Sequence, residues 1–133
     1  MPVILTVLFI VAMMPIGVAW IGGYYRKKQF GRFDNEHPRL QQSQLTGVGA
    51  RAVAAQANCW ESLQVFAVVV LIAVAVGVDL ARLEVASLAF LILRVLYVAF
   101  YLTNLATLRS VTYGLGLFCC LYVFGVASMT AVS

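Results

Sequence analysis

Charge is scarce in this chain. Asp, Glu, Lys and Arg make up 11% of its 133 residues, where a soluble domain carries about a quarter. So little polar cover cannot keep a folded body in water, which excludes a soluble enzyme or adaptor. Histidine occurs once and cysteine three times, with no CxxC spacing, so no ligand set for a metal is expected. Cys59, Cys119 and Cys120 read as free thiols packed as small hydrophobes. A basic nucleic-acid arm is not indicated either. The formal charge of +4 comes largely from Arg26, Lys27, Lys28, Arg32 and Arg39, which directly follow an apolar run and suit the headgroups of membrane lipid.

Apolar residues fill the space that charge leaves, at 63% of the chain and a mean hydropathy of +0.97. Residues 3–22 form a first run that is about 30 Å long as a helix, enough to cross a bilayer. The first positive charges follow this run, which argues against a secretory signal peptide. Pro15 is expected to kink it. Trp20, Tyr24 and Tyr25 mark its exit into the interface. Three further spans are expected at about 48–76, 81–105 and 109–130, giving one four-span domain over residues 1–133. The fold class is all-α, an integral membrane four-helix bundle. Asp79 reads as a helix N-cap. Residues 26–47 read as a long polar loop in which His37, before a proline, is a turn residue. Positive charge places that loop and the Arg109 turn in the cytoplasm, with both termini on the other side.

Polar residues within the spans carry the chemistry. The second span opens on the alanine-rich stretch Ala50–Ser62, where a turn of about 100° per residue sets Arg51, Asn58 and Glu61 along one side. In the third span Arg94, Tyr97, Tyr101 and Asn104 fall within about 80° of one another. Arg109, Tyr113, Gly116 and Cys120 share a face of the fourth. A charged group deep in a membrane helix costs about 2.5–3.5 kcal/mol on insertion scales, so Arg94 and Glu61 must face protein or water and have partners. An Arg–Glu staple between helices is one reading. The other is a cavity for an anionic ligand, because Arg51, Arg94 and Arg109 outnumber Glu61 and arginine clamps carboxylate or thiolate.

These residues resemble the MAPEG family, the membrane-associated proteins in eicosanoid and glutathione metabolism. Arg51 followed by Asn58-Cys59-Trp60-Glu61 is similar to its Arg…Asn-x-x-Glu signature. Arg94-x-x-Tyr97-x-x-x-Tyr101 and Arg109-Ser110-Val111-Thr112-Tyr113 resemble motifs of its third and fourth spans. The resemblance covers nearly the whole chain. It implies a homotrimer that binds glutathione at the cytoplasmic end and acts as a transferase or peroxidase on a lipophilic electrophile. It also implies roles: Arg109 holding the thiolate, with Arg51, Asn58, Glu61, Arg94, Tyr97, Tyr101 and Tyr113 as glutathione contacts. Its bacterial members suggest an inner-membrane location. One departure stands out: Ala54 and Ala57 occupy places where glutathione-using members carry arginine or a polar side chain. A member that keeps the fold, lacks catalysis and binds lipid or a protein partner is therefore the alternative. A small proton-coupled exporter fits less well, since its glutamate belongs in a first span that here carries no charge.

Overall fold

The computed structural model describes residues 1–132, and among these it contains helices and turns but no strand. Helix α1 spans Val3–Phe30, α2 Pro38–Ser43, α3 Gly47–Ala75, α4 Glu84–Leu102 and α5 Ala106–Val132. A 3₁₀ turn, Leu80–Leu83, leads into α4. Four helices are long and apolar enough to cross a membrane: α1, α3, α4 together with its 3₁₀ turn, and α5. The chain is thus an all-α, multi-pass membrane bundle. Most large apolar side chains on its outside, such as Phe9, Leu71, Val85 and Phe118, are exposed, as lipid contact allows.

Between lipid and protein there is no hydrophobic driving force, so membrane helices hold together by close packing of small residues. The α1–α3 contact, the most extensive in the fold, shows this. α1 buries Ile4, Val7, Val11, Pro15, Val18 and Gly22 at spacings of three and four. α3 answers with Gly49, Ala52, Ala55 and Cys59 near its start and Phe66, Val69, Val70 and Ala73 beyond. A Cβ placed on Gly49 would fall 2.9 Å from Leu45 Cδ2 and 3.0 Å from Tyr25 Cβ. A side chain at that crossing would push Leu45 aside and crowd the Tyr25 Cβ. α4 and α5 form the second large contact, and Phe90 of α4 stacks on Phe66 of α3 with ring centroids 4.2 Å apart.

Three local boundaries differ from the sequence reading. α1 continues through Gly22 and Gly23 to Phe30 instead of ending near Gly22. Gly31 then adopts φ 73° and donates its N–H to the Lys27 carbonyl at 2.9 Å, a left-handed cap that glycine takes at little cost. The segment after it is organised around Gln41. This side chain accepts from Arg26 Nε (2.8 Å) and the Asp34 N–H (3.0 Å) and donates to the Arg32 carbonyl (3.0 Å). Asp34 accepts the N–H groups of Glu36 and His37, which starts α2 at Pro38. At the far end of α4, Asn104 takes φ 62°, so the helix stops at Leu102 and Asn104 leaves the polar stripe. α5 then begins at Ala106, which puts Arg109 in its first turn. Pro15 lies within one unbroken α1. Asp79 caps the 3₁₀ turn, accepting from the Ala81 N–H at 3.1 Å.

Candidate functional site

Polar side chains from α3, α4 and α5 meet on the side of α3 away from α1. Arg94, four residues beyond Phe90 on α4, is the largest fully buried side chain, 2% exposed. Its Nη2 donates to Asn58 Oδ1 at 2.7 Å, and Asn58 Nδ2 donates to Glu61 Oε2 at 3.2 Å. The arginine and the carboxylate are therefore linked through an amide. Among the described residues no arginine pairs directly with a carboxylate. A staple between helices would bring opposite charges together; here they are held apart and Arg94 keeps an unmet need. Among the described residues its buried Nε has no hydrogen-bond partner, although a buried charged donor normally has one.

Cations and rings alternate along the stripe. The Arg94 guanidinium lies 4.2 Å from the Tyr97 ring centroid, and the Tyr97 and Tyr101 rings meet edge to face at 5.6 Å. Arg109 of α5 lies 4.3 Å over Tyr101. Tyr113, one turn beyond Arg109, lies 6.2 Å from Tyr97. Each ring offers its negative face to a cation, which holds the guanidinium groups while leaving their N–H donors for something else. Arg109 also stands at the positive end of the α5 dipole, so the helix adds to its attraction for an anion.

Two cavities adjoin along this stripe. The polar one is lined by Asn58, Tyr97, Tyr101, Arg109, Ser110 and Tyr113 and holds about 300 Å³. The second, about 70 Å³, is a small apolar groove walled by Val65, Phe90, Gly116 and Leu117, with Glu61 and Arg94 at its polar side. Tyr113 lines both. Small-molecule sites occupy about 300–1,000 Å³ and combine apolar walls with a few polar groups. The polar cavity reaches the lower end of that range and the groove falls well below it, and together they supply both kinds of lining.

Seven of the eight sequence candidates border these cavities: Asn58, Glu61, Arg94, Tyr97, Tyr101, Arg109 and Tyr113. Arg51 is elsewhere. Its Nε donates to the Leu102 carbonyl at 3.0 Å, where it satisfies a free carbonyl at the end of α4. Arg51 shares an azimuth with Asn58 on α3, but the open carbonyl lies within its reach. Sequence reasoning passed over Ser110 and Phe90. Ser110 could have been found as the direct neighbour of Arg109 in the chain, whereas Phe90, one turn before Arg94, carries no polar signal of its own.

The sequence profile of the MAPEG family matches residues 3–129. No curated protein and no solved structure matched. The family match spans nearly the whole chain, so the chain belongs to the MAPEG family, whose members generally use glutathione.

Proposed function

We propose that this MAPEG protein binds glutathione in the polar cavity and presents its thiolate to a lipophilic electrophile from the bilayer, as a transferase or peroxidase. One observation carries the reading: Arg109 lines an open polar cavity and Arg94 the apolar groove beside it, Tyr113 lines both, and among the described residues no carboxylate is paired to either arginine. The donor set suits the tripeptide. It has two carboxylates for arginines and tyrosine hydroxyls, and an ammonium that Glu61 can accept. When bound, glutathione supplies a thiol whose deprotonated form is the nucleophile.

The chain's own residues divide the work. Arg109 holds the negative charge on sulfur, helped by the dipole of α5, and so keeps the thiol ionised. Arg94, Tyr97 and Tyr101 take the carboxylate or γ-glutamyl end. Asn58 fixes the Arg94 guanidinium and Glu61 through its amide. Tyr113 stands where the two cavities meet. Arg51 supports the site indirectly by tying the end of α4 to α3.

The same reading extends to assembly and orientation. Glu61 is the middle residue of α3, and it and Gln64 are exposed on one chain. Polar groups so deep in a bilayer are stable when another helix covers them, which supports a homotrimer with the site completed between neighbours. The cluster Arg26–Arg39 supports a cytoplasmic position for residues 26–47, in a bacterial inner membrane. The test is the melting temperature of purified protein with and without millimolar glutathione. A ligand at 100 times its dissociation constant adds about 2.7 kcal/mol. A rise that disappears in Arg109→Ala, with thiol conjugation to a model electrophile lost in parallel, is the expected result; equal conjugation by the two proteins would sink the enzyme.

Ala54 and Ala57 favour a second reading, a non-catalytic member that binds lipid or a protein partner. Ala57 is exposed and Ala54 partly so, and neither offers a clamp. Under that reading glutathione gives no shift, and Arg109→Ala alters stability more than any activity.

A further inference from the structure

The segment between α1 and α3 folds back against the last two turns of α1. Arg26 Nε donates to Gln41 Oε1 at 2.8 Å, and Gln29 Nε2 donates to the Gln44 carbonyl at 3.0 Å. The first apolar run ends near Gly22, so Arg26 stands about 6 Å beyond it along the helix. That is within the polar layer of about 5–8 Å that covers each face of a bilayer, and the fold-back keeps the segment beside it. Phe33 and Leu40, 48% and 58% exposed, suit such a boundary better than water. Arg26 and Lys27 lie 5.1 Å and 5.9 Å over the Phe33 ring. Within the segment opens a cavity of about 310 Å³, lined by Phe30, Arg32, Asp34, Leu40, Gln41 and Gln44. Its volume is at the low end for a small-molecule site. The lining holds one cation and one carboxylate, and they do not pair with each other. Among the described residues the ion pair of Asp34 is with His37, at 3.9 Å. Asp34 Oδ1 is used by the N–H groups of Glu36 and His37, which leaves Oδ2 with only that long contact. Gln41, 7% exposed, is fixed in the wall by three hydrogen bonds.

We propose that this cavity takes the headgroup of a membrane phospholipid that carries a primary ammonium, the phosphoethanolamine type. A cation and a carboxylate that line one cavity unpaired are matched by a zwitterion. The phosphate pairs with Arg32 and the ammonium with Asp34 Oδ2, both as charge-assisted hydrogen bonds. A headgroup with phosphate but no amine leaves Asp34 unanswered, and a choline headgroup has no N–H to give it. Phe33 and Leu40 lie where the lipid's apolar part begins. The inference does not depend on what the polar cavity between α3, α4 and α5 holds.

The test places the full chain in phosphatidylcholine nanodiscs, with a third of the lipid exchanged for phosphatidylethanolamine or for phosphatidylglycerol, and reads the melting temperature. Phosphatidylethanolamine is expected to raise it and phosphatidylglycerol to leave it unchanged. No rise with phosphatidylethanolamine overturns the proposal, and an equal rise with phosphatidylglycerol overturns the selection for an amine. Asp34→Asn keeps an oxygen for the Glu36 and His37 N–H groups but loses the charge, and should lose at least half of the rise. Arg32→Gln, at an exposed position, should lose a similar share, and serves alone should the first variant not fold. A rise of full size in either folded variant would mark a general effect of the bilayer and overturn the proposal. Millimolar O-phosphoethanolamine added to phosphatidylcholine discs should give no rise. A rise there would make the ligand a dissolved phosphate ester and overturn the lipid as its source.

Discussion

α3 has two unlike faces. Toward α1 it is tightly filled, with Gly49, Ala52, Ala55 and Cys59 buried and an added carbon at Gly49 crowding Leu45 and Tyr25. Toward α4 and α5 it is polar and open, with Asn58 and Glu61 beside two cavities and a buried arginine left partly unsatisfied. The same helix thus anchors the fold on one side and offers a site on the other. The contrast teaches that precision of packing is spent on holding α3 still, so that the opposite face can afford looseness.

The sharpest way to break this contrast is to act on the open face. Arg109→Ala should lower thiol conjugation by about 100-fold or more, the usual loss when a fixed electrostatic donor is removed, and leave the melting temperature of the free protein nearly unchanged; initial rates with a model electrophile check it. Acting on the closed face should do the reverse. Gly49→Ala forces Leu45 and Tyr25 apart and should cost about 1–3 kcal/mol of stability, read as a lower melting temperature, while ligand affinity holds. Gly116→Ala is its counterpart on the open side. Its new Cβ meets Phe90 at 3.8 Å, so a helix-favouring substitution worth up to about 1 kcal/mol should leave stability equal or slightly raised. A similar loss in the two glycine variants would erase the distinction between the faces.

The smallest effect lies outside the membrane. Asp34 has its carboxyl held below the ordinary value of 3.8, first by the His37 N–H and also by that of Glu36. Its contribution to loop order is therefore complete above that ordinary value and is lost as pH falls through the lowered one. Hydrogen exchange of the Glu36 and His37 amides should quicken, relative to their intrinsic rates, only at that acidic end, with both faces of α3 unaffected.

Much of this was open to a reader of the sequence. The membrane bundle follows from the shortage of charge, and the stripe of Arg94, Tyr97 and Tyr101 follows from helical spacing alone, as does the pairing of Arg109 with Tyr113. Arg51 shows where such reading stops. Its azimuth is right for the site, yet its partner is a backbone carbonyl on another helix, and no periodicity within α3 reports where α4 ends. Phe90 was hidden for a different reason: in an apolar span a phenylalanine facing a cavity is indistinguishable from one facing lipid. The order around Gln41 was equally invisible, because its three partners are two backbone groups and one side chain from separate turns of the chain.

The bond from Arg51 to the Leu102 carbonyl has a mechanical meaning. α3 is clamped to α1, so it behaves as the fixed jaw of a vice, while α4 and α5 form the other jaw as a pair. Arg51 pins the two at the end where α4 turns into α5. That pinned end is the one that carries Arg109, so the polar cavity is framed where the two jaws are tied.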